Sequence, residues 1–158
     1  MRINFNTDEY LDISVAQKGT AGIPYDCALE VSLKSNSFSG CSTSWIEGLE
    51  LKGFLNELEN LDKTLKGKAN LVSESPDELD IEIKPVDSVG HFVFLIKIGE
   101  KKYIESELFE SSISNAFPLE SQEVSNICVK LISYFKDTLE AKSFFTLSTF
   151  KSLKDKQT

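Results

Sequence analysis

The chain has 158 residues, with 25 acidic side chains against 17 basic ones and a formal net charge of -8. That length fits one domain with a real core. The balance excludes a phosphate-backbone binder, because sixteen of the basic residues are scattered lysines and the only arginine is Arg2.

In chain order, the first apolar alternation runs over Tyr10–Ala16, with Leu11, Ile13 and Val15 on one side. Gly19, Gly22 and Pro24 predict a turn, and Asp26–Ser35 alternates again through Leu29, Val31 and Leu33. A third short strand is predicted over Asn36–Ser44. Then the period changes. Leu51, Phe54, Leu55, Leu58, Leu61 and Leu65 fall on one face of a helix. Ser44 with Glu47 matches a capping box, with a start near Gly48 as the other choice, and Gly67 reads as the stop.

Strands resume at Lys68–Ser73, and Ser75, Pro76 and Asp77 mark a turn. Leu79, Ile81 and Ile83 alternate with Glu78, Asp80, Glu82 and Lys84, which predicts a strand with one wet face. After a turn at Pro85–Gly90, Phe92–Ile98 is almost wholly apolar and reads as a central strand covered on both faces. Gly99-Glu100-Lys101 reads as a hairpin loop, with Lys102–Phe109 as the returning strand. Beyond Asn115 and Pro118, Val124, Ile127, Cys128, Leu131, Ile132, Phe135 and Leu139 predict a second helix. The expected fold is α+β, an antiparallel sheet of about six to seven strands packed by two amphipathic helices. Residues 1–137 form the expected domain and 138–158 a C-terminal extension. Within that extension Phe144–Phe150 is apolar but irregular.

The sequence holds no CxxC knuckle, phosphate-cradling glycine loop or nucleophile elbow around Ser39-Gly40. Cys27, Cys41 and Cys128 are expected as reduced cysteines in or near the core. His91 follows Gly90, with Asp87 as the nearest carboxylate. It reads as a turn histidine, although a general base has the same requirements. No metal, cofactor or catalytic residue is expected. Glu78, Asp80 and Glu82 share a strand face, preceded by Glu74 and Asp77. They read as a solvated face or as an acidic stripe for a basic protein partner. Trp45 reads as a core lid at a strand-to-helix corner, or as an interface anchor. No apolar run reaches the ~20 residues of a membrane helix, and MRINFNTDEYLD lacks the apolar stretch of a signal peptide. The expected location is cytoplasmic, with no membrane and no direct nucleic-acid contact.

Several anchors recur in a familiar order. Phe38-Ser39-Gly40 precedes Trp45-Ile46, then the helix with Leu51, Phe54, Leu58 and Leu61, then Gly67, Lys68 and Ala69. Glu78-Leu79 opens an alternating strand, and Gly90-His91 enters the most apolar one. Over Tyr10–Phe135 this resembles the WapI-type immunity proteins of bacterial contact-dependent and polymorphic toxin systems. The resemblance implies a cytoplasmic protein that neutralises a cognate secreted toxin domain, commonly a nuclease. It assigns no functional residue, and Asp137–Thr158 runs past its pattern. Acidity fits it, since nuclease toxins bind phosphates and tend to be basic. Two other classes remain beside it: a small-molecule or metal-binding domain using His91 with a carboxylate, and an adaptor that self-associates through Phe144–Phe150.

Overall fold

Apolar–polar alternation sets the pairing throughout the molecule. The computed structural model describes residues 1–20 and 24–139. In chain order the elements are β1 (Arg2–Asn4), β2 (Tyr10–Lys18), β3 (Cys27–Ser35), β4 (Phe38–Ile46), α1 (Gly48–Thr64), β5 (Ala69–Val72), β6 (Leu79–Pro85), β7 (His91–Ile104), β8 (Glu107–Glu120) and α2 (Ser121–Leu139). The α+β class, the antiparallel strands and the strands-helix-strands-helix order match the expectation. The single sheet of six to seven strands does not. Two sheets form, in orders β1-β2-β3-β4 and β5-β6-β7-β8. Each is a meander in which every strand pairs with its sequence neighbour, and α1 separates them.

Both sheets turn one face into a shared core. Leu11, Ile13, Leu29, Val31 and Leu33 come from the first sheet, and Leu79, Ile81, Phe92, Phe94, Ile96 and Phe117 from the second. The helices add Leu51, Phe54, Leu58 and Leu61 from α1, and Val124, Leu131 and Phe135 from α2. The Phe92–Ile98 strand is therefore covered on its even-numbered face; Val93, Leu95 and Lys97 are only half-buried. Phe5 seals one end by stacking on Phe117, with centroids 3.8 Å apart, and meeting Phe94 edge-on. Nearby, Asn115 donates to Ser35 Oγ, which donates to Glu9 at 3.1 Å and joins the two sheets. At the other end a bulge between Val15 and Gln17 leaves the Val15 N–H to donate to Tyr134 Oη at 3.0 Å, which anchors α2.

Several local expectations are corrected. The capping box does not form: among the described residues the buried Ser44 Oγ has no partner, and Glu47 is an N-cap with no side-chain bond. Asp26 Oδ1 instead accepts the Gly48 N–H at 2.8 Å. Ile46 and Leu51 occupy the staple positions on either side of that start, and both are fully buried. The helix ends on Leu65 in the left-handed region (φ 57°), two residues before Gly67. Asn36 and Ser37 are the turn before β4 rather than its first residues. Gly99-Glu100-Lys101 is not a hairpin loop; β7 runs through it and turns at Glu105-Ser106, with Glu105 at φ 56°. Asn115 and Pro118 lie inside β8. Pro118 is tolerated because β8 is an edge strand, where a missing N–H costs no ladder bond. The second helix spans Ser121–Leu139, in keeping with the apolar spacing that runs through Leu139, and Thr138 is buried. The Phe144–Phe150 segment lies outside the described residues.

Gly99 has a packing reason to be glycine. A Cβ there would stand 2.4 Å from the Asp77 carbonyl oxygen, whereas at Gly53, in α1, it would meet nothing within 4 Å. Gly99→Ala should therefore destabilise by about 1–3 kcal/mol through overpacking. Gly53→Ala should stabilise by about 0.5–1 kcal/mol through helix propensity. Urea unfolding midpoints of the two variants check both signs.

Candidate functional site

The acidic residues singled out in the sequence fall into two groups with different electrostatics. Asp80 and Glu82 stand on the outer face of the second sheet, opposite Lys97 and Leu95 in the β6–β7 register. Glu82 is held by Lys84 at 2.6 Å and Lys68 at 3.0 Å, and these bonds keep its carboxyl below the ordinary range. Asp80 accepts from Asn70 Nδ2 at 3.0 Å. Asp77, before β6, is bonded by Lys97 at 2.8 Å and lowered in the same way. This face is charge-compensated. It carries an open depression of about 570 Å³ lined by Asp80, Glu82, Leu95, Lys97, Ser114 and Ala116.

Trp45, Glu74 and Glu78 lie elsewhere, on the seam between β4 and the second sheet. The Glu74 N–H donates to the Trp45 carbonyl at 2.8 Å, which places the two residues side by side. The Glu78 carbonyl accepts from Gly99 N–H at 2.9 Å and from Ser42 Oγ at 3.4 Å. Among the described residues the carboxylates of Glu74, Glu78 and neighbouring Glu47 and Glu100 make no ion pair. Trp45 is the register partner of buried Ala28 on the outer face and remains 40% exposed, so it is not a core lid. From this seam a groove of about 420 Å³ continues between β4 and β7, lined by Cys41, Thr43, Glu78, Glu100 and Lys101.

His91 opens β7. Its Nδ1 bonds Asp87 Oδ2, and Nε2 lies 3.8 Å from Glu120 Oε1. Asp87 Oδ1 also accepts the N–H groups of Val89, at 2.9 Å, and His91, at 3.2 Å. The carboxylate thus organises the β6–β7 turn, and the imidazole is half-exposed against it. Among the described residues no three His, Cys, Asp or Glu side chains gather as a metal-ligating group. Burial pushes the Cys27 thiol up to about 11 and raises Cys128; Cys41, expected in or near the core, is exposed on β4.

No helix of the described residues is long and apolar enough to cross a membrane. Compared with protein-family models, curated proteins and solved structures, the chain matches none.

The hydrogen bond and charge of Asp87 raise His91 above its ordinary 6.5, and Glu120 adds to the effect. A raised folded value means that the stabilisation is complete below the unfolded value and is lost as pH rises through the folded one. A proton NMR titration of the single imidazole should give a midpoint above 6.5, and Asp87→Asn should bring it down. An unshifted midpoint in the native protein would remove the Asp87 contact.

Proposed function

We propose that this chain is an immunity protein that binds and neutralises a cognate secreted bacterial toxin domain by acidic-surface capture in the cytoplasm. One observation carries the reading. The half-exposed Trp45 is joined through its carbonyl to the Glu74 N–H, and among the described residues the carboxylates of Glu47, Glu74 and Glu78 along the seam make no ion pair, while Glu82 and Asp77 of the sheet face are paired with lysines. An indole supplies a large apolar anchor at low conformational cost, and unpaired carboxylates steer a basic partner onto it. The partner class comes from the resemblance to the WapI-type family. A basic nuclease domain suits it, because carboxylates would fill the surface that otherwise receives phosphates.

The interface is therefore centred on Trp45, Glu47, Glu74 and Glu78, with Asp77, Asp80 and Glu82 at its margin. Exposed pairs such as those of Glu82 contribute only about 0–1 kcal/mol each, and their cancelled charge steers little.

Co-expression with the product of the adjacent toxin reading frame is the direct test. Cells making both proteins should grow, and growth arrest with both proteins present would overturn the reading. With the purified pair, Glu74→Lys combined with Glu78→Lys should slow association at low salt by about tenfold, with a smaller effect on dissociation. The same reversal at Asp80 and Glu82 should change the association rate less.

A further inference from the structure

The β7–β8 ladder does not end where the sheet ends. The last β6 partner in β7 is Ile98, yet β7 and β8 stay paired out to Ile104 and Glu107. Six residues of each strand, Gly99–Ile104 and Glu107–Ser112, form a two-stranded arm about 20 Å long. Its base is packed, with Gly99 buried and its N–H on the Glu78 carbonyl, and its tip from Lys102 to Phe109 is exposed. β4 props its base, where Gly40 meets Ile98 and Ile113.

The arm's surface is unusual for a projection into water. Tyr103 is 74% exposed, Ile104 52%, Leu108 45% and Phe109 44%. Tyr103 and Leu108 oppose each other in the register and share one face. Ile104 and Phe109 alternate with them and lie on the other. Its charges are also uneven. Lys101 lies 3.7 Å from Glu110. Among the described residues this leaves Glu100, Glu105 and Glu107 against Lys102 without ion pairs.

A flat partner surface would cover only one pair of apolar residues. Covering both requires walls on two sides, and the excess of carboxylates requires those walls to be basic. We propose that the arm inserts into a basic, apolar-walled cleft of the partner protein. This rests on the capture reading above and deepens it: the arm occupies the partner's cleft while the Trp45 seam, continuous with it through the Glu78–Glu100 groove, closes over the rim. A partner that uses this cleft for a phosphate-bearing substrate is thereby blocked.

The test uses the full chain and the purified product of the adjacent toxin reading frame. Tyr103→Ser, Ile104→Ser, Leu108→Ser and Phe109→Ser are combined in one variant. Val129→Ser, at an exposed apolar site on α2, is the control. The arm variant should keep the native thermal midpoint and weaken binding on the order of a hundredfold, the effect of losing several central anchors. The control should bind as the native chain does. A second variant, Glu105→Lys with Glu107→Lys, should slow association and be slowed less by added salt. If the native chain protects cells and the arm variant binds equally well, the arm proposal falls and the capture reading stands. If the native chain neither binds nor protects, the capture reading fails first. If sedimentation shows a native dimer that the arm variant splits, the arm covers a second copy and the proposal is overturned.

Discussion

The structure depends on one continuous register along β7 and β8. Its even-numbered β7 residues from Phe92 to Ile98 face the core, and their β8 partners include Leu119, Phe117 and Ile113. The same ladder then leaves the core without changing register. Residues that would be interior further back become exposed as Ile104 and Phe109. A one-residue slip would move every core side chain of the second sheet to its wet face. The core therefore specifies which residues the arm presents, and on which side. Gly99 marks the crossing point, where the Asp77 backbone passes too close for any side chain.

Charge is distributed by the same geometry. Lys68, just before β5, Lys84 of β6 and Lys97 of β7 come beside Glu82 and Asp77, so the broad sheet face carries little net field. Among the described residues the carboxylates without an ion pair include Glu47, Glu74 and Glu78 along the β4 seam and Glu100, Glu105 and Glu107 on the arm, where Lys101 pairs with Glu110. A strand face written as alternating acids is thus the weaker electrostatic surface. The stronger one is the seam that carries Glu47, Glu74 and Glu78, whose carboxylates make no ion pair among the described residues.

Much of the fold was legible because it follows period. Both helices, β2, β3 and β6 show their core faces directly in the apolar spacing. The failures share a physical cause: a residue's turn chemistry and its packing role look alike in sequence. Gly99 resembles a turn glycine but is required for close backbone approach, while the real turn uses Glu105 at a positive φ without glycine or asparagine. Pro118 resembles a strand breaker but sits on an edge. The division into two sheets was hidden because nothing in α1 says whether the strands after it rejoin those before it. At the candidate site, Trp45, Glu74 and Glu78 could be named but not grouped, since a single backbone bond between β4 and the loop after β5 brings the first two together. The compensation of Glu82 needed the β5–β6 register before Lys68 could be seen as its partner.

An exposed two-stranded ribbon with apolar residues on both faces faces a conflict. Its free edges invite pairing with other chains, and isolated hairpins are marginal in water. Charged residues are the usual protection, and the arm carries them along both strands: Glu100, Lys101, Lys102, Glu105, Glu107 and Glu110. Two arms approaching each other would bring like-charged carboxylates together, which opposes self-pairing. A basic cleft reverses the sign of that interaction. The glutamates that keep the arm apart from its own copies are then the ones that draw it to a partner. The apolar pairs, which cannot be buried among copies without that repulsion, become available as anchors only when opposite charge surrounds them. On this argument the acidity of the arm and its hydrophobicity are one device. Neutralising the glutamates should weaken selectivity for the partner even where the apolar contacts remain.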